Sequence, residues 1–383
     1  LQGMKSNEFR GEYPLAEYDF KDCSLPVSVK LEAFSPFIPM NAKDSAIPCV
    51  IFKVTVENTG SKKAEVSVLQ SQQNAVGYDG QKLIENRNYS GYAGNVNKVI
   101  NNGKYTVLDM ASAGLDKSGS MALACVSENA AGVAYWGSLD ELINDIKADG
   151  KLYGLSETAP SASGTTISGA VTDFVVLNPG ESKTVDFVLT WYFPNVEYGS
   201  RGWGGAGNQY TNWGKSADDG AAYVVSNLPR LYSQTKLYHD TFYQGNLPQW
   251  MLDRITSQTA IMRTKTMFWA ANGFVGAWEG CGSGSGCCAG NCVHVWHYAQ
   301  APARLFPEIG RKLREEELAL QLPDGGLPHR LLPDFTPAAD GHLGSILGAY
   351  REHLESADRY WLDTNWTGIR EAMDYAIKTW DAD

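Results

Sequence analysis

Residues 52–68 read Phe-Lys-Val-Thr-Val-Glu-Asn-Thr-Gly-Ser-Lys-Lys-Ala-Glu-Val-Ser-Val, two alternating runs on either side of a turn at residues 59–61. Side chains along a strand point alternately to opposite faces, so alternation of this kind predicts strands with one buried face. We therefore expect a β-hairpin here. The apolar positions of the two runs are Phe52, Val54, Val56, Ala64, Val66 and Val68.

The same pattern returns around the turn residues Asn178-Pro179-Gly180, which separate residues 174–177 from a second alternating run. That run places Val185, Phe187 and Leu189 on one side of a strand. Many short strands joined by Gly and Asn turns predict an antiparallel β-sandwich over roughly residues 1–195.

Beyond residue 235 the apolar spacing changes to about 3.6, the period of an α-helix. A charged run at residues 311–317 flanks one of the apolar stripes and predicts a solvated helix face. The change indicates two domains, a β-sandwich domain with an aromatic loop at residues 1–230 and a helical domain at residues 231–383. The three stripes are Ile309, Leu313 and Leu320; Ile346, Leu347, Tyr350 and Leu354; and Ile369, Met373, Ala376, Ile377 and Trp380.

The composition excludes several classes of function. The 383 residues are 43% hydrophobic and 20% charged, which is typical of a globular protein. A net charge of -11 argues against a nucleic-acid partner. No apolar run approaches the ~18 residues of a membrane span. The first residues lack the pattern of a signal peptide, and the sequence assigns no localisation.

Four of the seven cysteines lie close together, at Cys281, Cys287, Cys288 and Cys292, shortly before His294. Thiolates and imidazole are good zinc ligands, but structural zinc sites usually use two well-separated Cys-x(2–4)-Cys pairs. Zinc, a local disulfide and small buried thiols stay open as alternatives. We expect no metal site and no cofactor.

Three short stretches carry residues that could do chemistry. Glu279 stands between Trp278 and a glycine, where a carboxylate could attack a sugar and an indole could pack on its C–H face. His329, Asp340 and His342 lie in a loop-rich stretch before a helix, where they could hold hydroxyl groups. Taken alone, these signals are equally compatible with a surface glutamate, a helix-capping aspartate and ordinary surface histidines.

Taken together and in order, these stretches resemble glycoside hydrolase family 116, the family of non-lysosomal glucosylceramidases and bacterial β-glucosidases. The resemblance covers essentially the whole chain. The segments that carry it are Leu31–Pro39, Asp44-Ser45, Pro48, Trp191–Asn195, Gly207–Tyr210, Trp213, Leu247–Trp250, Trp278–Gly280, Asn291–Trp296, Leu327–His329, Ala338–Gly341 and Tyr350–Glu352.

The resemblance implies a fold and a mechanism. It implies an N-terminal antiparallel β-sandwich followed by part of an (α/α)6 barrel, and a retaining β-glycosidase. It makes Glu279 the nucleophile, and His329, Asp340, His294 and Trp278 sugar-binding residues. Calcium occurs in some relatives, but no residue here marks a calcium site.

The resemblance also implies that the acid/base aspartate lies beyond residue 383. We therefore expect a fragment that lacks part of the catalytic domain and is inactive on its own toward glycosides with poor leaving groups. The substrate would be a small glycoside, an oligosaccharide or a glycolipid, with glucose, xylose or N-acetylglucosamine as the sugar. The alternatives are a non-catalytic carbohydrate-binding protein, with Trp203, Tyr210 and Trp213 stacking on glycans, and a scaffold protein with a cysteine metal knuckle.

Overall fold

The structure is a computed structural model, and it describes residues 3–78, 91–113, 119–196, 207–264, 266–278, 292, 297–330 and 335–381. The chain divides into two compact units. The first contains residues 1–37, 47–195 and 210–242, and the second contains residues 38–46, 196–209 and 243–383. The domain boundary predicted between residues 230 and 231 stays a prediction. Across the described ranges, no helix is both long enough and apolar enough to cross a membrane.

The regular elements follow one another in a mainly β and then a mainly α order. The strands are β1 Ser6–Glu12, β2 Leu15–Lys21, β3 Val27–Phe34, β4 Cys49–Asn58, β5 Ala64–Gln73, β6 Asn95–Asn101, β7 Thr106–Ser112, β8 Ser120–Val126, β9 Ala131–Val133, β10 Ser168–Leu177, β11 Ser182–Tyr192, β12 Met267–Trp269 and β13 Val275–Ala277. The helices are α1 Ala42–Ser45, α2 Leu139–Asp149, α3 Ala217–Tyr243, α4 Gln249–Thr259, α5 Ala301–Leu305, α6 Pro307–Ala319, α7 Ala339–Leu354 and α8 Tyr360–Trp380.

The first unit is built on two antiparallel sheets. The described strands form a large sheet in the order β1-β2-β3-β4-β11-β8-β7-β6 and a small sheet in the order β5-β10-β9. Leu108, Leu123 and Phe187 of the large sheet share one buried core with Val68 and Val171 of the small sheet. The predicted antiparallel sheet region followed by helices is confirmed.

The hairpin predicted over residues 52–68 is wrong, although both of its strands exist. β4 pairs with β3 and β11 in the large sheet, whereas β5 pairs with β10 in the small sheet. The turn after Asn58 therefore carries the chain from one sheet to the other. The turn at residues 178–181 does the same between β10 and β11. Alternation reports which face of a strand is buried, and two strands that face each other across a core satisfy it as well as two neighbours do.

Helix α3 begins at Ala217, well before residue 235, where the apolar spacing changes. The Thr190 hydroxyl donates to the Ala217 carbonyl oxygen (2.7 Å), and the Ala217 N–H donates to the Ser120 hydroxyl (2.9 Å). These bonds tie the start of α3 to β8 and β11 of the large sheet. The helix was missed because a small-residue face of Ala217 and Ala221 gives little periodic signal.

The second unit contains a short hairpin of β12 and β13 and several packed helices. Helix α6 packs against β13 and α7, and α7 packs against α8. On α8, Ile369 and Ala376 are buried, but Ile377 and Trp380 of the same predicted stripe are exposed. On α7, Leu347, Tyr350 and Leu354 of the predicted stripe are exposed and Ile346 is half-buried, and the helix buries small and polar residues instead. The (α/α)6 barrel stays a prediction.

Candidate active site

The β12–β13 hairpin fixes the backbone that leads to Glu279. Met267 pairs with Ala277, and the next residue, Trp278, donates its N–H to the Thr266 carbonyl oxygen at 2.8 Å. The indole of Trp278 stacks on Phe268, with ring centroids 4.5 Å apart and planes 20° apart, and it is only 4% exposed. Trp278 is therefore held by both its backbone and its ring. Glu279 itself lies outside the described residues.

A second segment reaches the same hairpin through Cys292. Its N–H donates to the Ala277 carbonyl oxygen at 2.8 Å, and its side chain is buried. Cys292 thus brings the backbone that precedes His294 beside the backbone that precedes Glu279. His294 lies outside the described residues, as do Cys281, Cys287 and Cys288, and the thiol chemistry of this cluster stays a prediction.

His329 follows a tight turn and is half-buried. Its Nδ1 lies 2.7 Å from the Thr336 carbonyl oxygen, which can only accept, so Nδ1 carries the proton. In the neutral ring Nε2 then has the lone pair. The ring also packs edge-on against Phe335, with centroids 5.0 Å apart. Two contacts therefore orient the imidazole.

Asp340 lies in the first turn of α7 and is exposed. The hydroxyl of Tyr298 donates to its Oδ2 at 3.1 Å, and this bond raises the pKa of Tyr298 because it favours the protonated phenol. The helix has Ala338 at its N-cap position and no side-chain cap. The alternative in which Asp340 caps this helix is therefore wrong.

The structure brings the segments of His329 and Asp340 together. Pro328 forms an isolated antiparallel bridge with Pro337, so the residue before His329 lies beside the chain that enters α7. Asp340 follows three residues after Pro337. His329 and Asp340 thus extend from one small junction at the N-terminal end of α7.

The sequence left two interpretations of His342 open, a polar residue near the sugar pocket and an ordinary surface histidine, and the second is wrong. It is 1% exposed and lies under the rings of Tyr375 and Trp380. The Leu327 N–H donates to its Nδ1 at 3.1 Å, and its Nε2 lies 2.8 Å from the Ala372 carbonyl oxygen. One histidine in a run of small residues carries no pattern that distinguishes burial from exposure.

The solvated face predicted for the charged run at residues 311–317 is wrong for two of its members. Arg314 and Glu317 form an ion pair of 2.7 Å, and their side chains are 3% and 4% exposed. They face inward because α6 packs against α7, where Gly348 leaves room for the guanidinium. Burial raises the pKa of Glu317 to about 7, although the charge of Arg314 opposes the shift.

Metal ligands do not gather in the part of the chain that the structure describes. No group of three His, Cys, Asp or Glu side chains is placed there to hold a metal ion. Three of the four clustered cysteines are outside those residues, so the expectation of no metal and no cofactor stays a prediction.

One protein family matches the sequence over residues 2–234, and its description is beta-glucosidase 2, glycosyl-hydrolase family 116 N-term. The chain belongs to glycosyl hydrolase family 116. The family assignment made from the sequence is thereby confirmed. The match covers the sheets of the first unit and most of α3, so the family 116 identity rests on the part of the chain that precedes Trp278.

Two solved structures match this family 116 chain at low identity. A provisionally assigned kojibiose phosphorylase from the human microbiome is 10% identical, with a TM-score of 0.41, over 88% of this chain and 41% of that protein. A family GH92 alpha-mannosidase from Bacteroides thetaiotaomicron is 9% identical, with a TM-score of 0.36, over 94% of this chain and 42% of that protein. The chain thus spans about two fifths of the length of these proteins.

Proposed function

We propose that this protein acts in the hydrolysis of terminal β-linked sugars by a retaining mechanism in which Glu279 is the nucleophile. The observation that carries the proposal is the family 116 match over residues 2–234. In this mechanism a carboxylate attacks the anomeric carbon, the bond to the leaving oxygen breaks, and water then hydrolyses the glycosyl-enzyme.

A retaining enzyme needs a second carboxyl group about 5–5.5 Å from the first, which protonates the leaving oxygen and later activates water. The family resemblance puts this aspartate downstream of Trp380. The proposal therefore assigns the nucleophile to Glu279 and expects the acid/base aspartate at a position after Trp380.

The surroundings of Trp278 support the role of Glu279. A nucleophile must be held close to its reactive geometry, because small displacements of a reacting group cost large factors in rate. The stacking of Trp278 on Phe268 and its backbone bond to Thr266 fix the residue directly before Glu279. Trp278 then contributes to sugar binding chiefly by holding this backbone, since its indole is already covered.

His329, Asp340 and His294 are proposed to hydrogen-bond sugar hydroxyls. A hydroxyl can donate and accept, so a carboxylate and a neutral imidazole nitrogen both suit it. Because Nδ1 of His329 points to Thr336, Nε2 is the atom proposed to accept from the sugar. Asp340 brings the Tyr298 hydroxyl with it as an additional polar group. The sugar is glucose, xylose or N-acetylglucosamine, attached to a small aglycone, an oligosaccharide or a lipid.

Dinitrophenyl β-glycosides test this proposal on the chain as it exists. Dinitrophenolate leaves without protonation, so the first step does not depend on an acid residue, whose help is typically worth ~10²–10⁴-fold. We expect release of dinitrophenol by the wild-type chain, loss of release in Glu279→Gln, and wild-type release in Asp253→Asn, which changes an exposed carboxylate on α4.

The stereochemistry of the sugar product gives a second result. Added azide attacks the glycosyl-enzyme without a base, so we expect the β-glycosyl azide to appear first in the proton NMR spectrum, because two inversions at the anomeric carbon restore its configuration. First appearance of the α-anomer would refute the retaining mechanism. Unchanged release in Glu279→Gln would remove the assigned nucleophile. Saturable binding of glycans without release of any aglycone would support the non-catalytic carbohydrate-binding alternative.

A further inference from the structure

We propose that His342 is a positioning residue that fixes the backbone carrying His329 to helices α7 and α8. The inference rests on the proposed function in one respect, because the role of His329 as a sugar ligand belongs to that proposal. The attachment itself is independent of any sugar.

The partners of His342 define its tautomer. The Leu327 N–H can only donate, so Nδ1 must carry a lone pair (3.1 Å). The Ala372 carbonyl oxygen can only accept, so Nε2 must carry the proton (2.8 Å). A neutral imidazole has one donor and one acceptor, and here both are used in a fully buried site. His342 thereby connects the turn, α7 and α8 through one side chain.

The turn before His329 lies against one side of α8. The side-chain amide of Gln321 lies 2.9 Å from the carbonyl oxygens of both Gly325 and Gly368. Gly325 has a φ of 94°, and a Cβ added to it would lie 2.3 Å from the Glu371 carbonyl oxygen. These contacts show that the backbone of the turn approaches the helix too closely for a larger residue at this position.

His342 is the last of these attachments before Pro328 and His329. Gln321 and Gly325 hold the first part of the turn, and Leu327 is two residues from His329. On the other side, Pro328 is bridged to Pro337. Gly326 is held within the turn, where its carbonyl oxygen accepts from the Leu322 N–H (2.8 Å). Loss of the Leu327 bond would therefore release the backbone from Leu327 to Pro328, and with it that of His329.

The surroundings of His342 favour the neutral ring that this attachment needs. Burial lowers the pKa of His342, whereas the carboxylate of Asp324 in the turn opposes the shift. The rings of Tyr375 and Trp380, with centroids 5.2 and 5.3 Å from the imidazole, cover it from α8. Protonation of Nδ1 would place an N–H against the Leu327 N–H and break the bond.

Two variants separate this role from simple packing. Glutamine has one amide oxygen that accepts and one amide nitrogen that donates, so His342→Gln can keep both bonds. His342→Leu fills similar space and keeps neither. We expect amide hydrogen exchange in a peptide covering residues 322–329 to be about tenfold faster in His342→Leu and close to wild type in His342→Gln. Exchange in β11 of the first unit is the control and should be unchanged.

A pH series on the wild-type chain gives the same information if His342→Leu does not fold. After correction for the intrinsic exchange rate, protection of the 322–329 peptide should fall in the wild type as acid protonates His342. It should not fall in His342→Gln, which has no titrating ring. Equal protection in all proteins, or equal acid sensitivity in His342→Gln, would overturn the inference.

Binding of the iminosugar 1-deoxynojirimycin distinguishes this inference from the proposed function. We expect weaker binding in His342→Leu and His329→Ala, and recovery in His342→Gln. Faster exchange in His342→Leu with unchanged iminosugar binding would support the positioning role of His342 and would refute the role of His329 in sugar binding. Unchanged exchange would refute the role of His342, whatever the binding result.

Discussion

The side-chain amide of Asn58 donates to the carbonyl oxygen of Leu177, 2.9 Å away, and so joins the two turns that cross between the sheets. The same amide donates to the Lys62 carbonyl oxygen (2.8 Å), and its Oδ1 accepts from the Gly60 N–H (2.9 Å). Asn58 is completely buried. One side chain therefore satisfies backbone groups in both crossings.

Replacement of Asn58 should destabilise the first unit. Asn58→Ala removes the partner of the buried Leu177 carbonyl oxygen, at about 1–3 kcal/mol, and the partners of the less buried Lys62 and Gly60 backbone groups, at a smaller cost. Denaturant unfolding followed by fluorescence measures the change. Asn178→Ala removes an exposed asparagine from the other turn, and we expect a change of about 0.5 kcal/mol or less there. Equal effects of the two substitutions would contradict this account of the crossings.

Glu32 should make stability depend on pH. It is buried, and it lies opposite Glu17 in the β2–β3 register. Burial and then the charge of Glu17 raise the pKa of Glu32, although a hydrogen bond from Tyr232 opposes the shift. The associated stability is fully present below the unfolded pKa of about 4.3 and is lost as pH rises through the folded pKa.

The measurement for Glu32 is the free energy of unfolding between about pH 4 and pH 7. Residue 32 carries no charge at any pH in Glu32→Gln. The decline in the free energy of unfolding with rising pH should therefore become smaller in this variant. Glu8→Gln changes an exposed carboxylate on β1 and should leave the decline as it is in the wild type. An identical decline in wild type and Glu32→Gln would show that Glu32 does not titrate differently on folding.

The Arg314–Glu317 pair should be worth far more than the more exposed ion pairs of the same helix. Glu317→Ala leaves the buried Arg314 guanidinium without its carboxylate, which typically costs about 3–5 kcal/mol. Lys312→Ala removes a half-exposed ammonium that pairs with Glu315 and with the more buried Glu316, and it should cost no more than about 1 kcal/mol. Thermal unfolding of both variants tests the difference. Similar losses of stability in the two variants would support the prediction that residues 311–317 form a solvated helix face.

The sequence predicted where strands and helices occur better than it predicted which of them are neighbours. Alternation located β4 and β5, because burial on one face follows from side-chain spacing alone. The alternation also suggested that they form one hairpin, because nothing within residues 52–68 specifies which strand each of them pairs with. That information lies in Asn58, whose bonds to Lys62 and Leu177 become visible only in the folded chain.

Polar residues were predicted less well than apolar ones, for a related reason. A charged run is usually solvated, and only the packing of α6 on α7 places Arg314 and Glu317 inside. The burial of His342 was not predictable in the same way, since its partners are backbone groups at Leu327 and Ala372, which any sequence would offer. The candidate site itself was found through the combination of motifs around Trp278, His329 and Asp340, and the roles of these residues stay predictions.

Covalent trapping tests the central proposal most directly. A dinitrophenyl 2-deoxy-2-fluoro-β-glycoside forms a glycosyl-enzyme that hydrolyses slowly, because the fluorine destabilises the positively charged transition state. Peptide mapping by mass spectrometry then locates the sugar. We predict that the label lies on Glu279 and is absent from Glu279→Gln. A stable label on any other carboxylate would contradict the assignment.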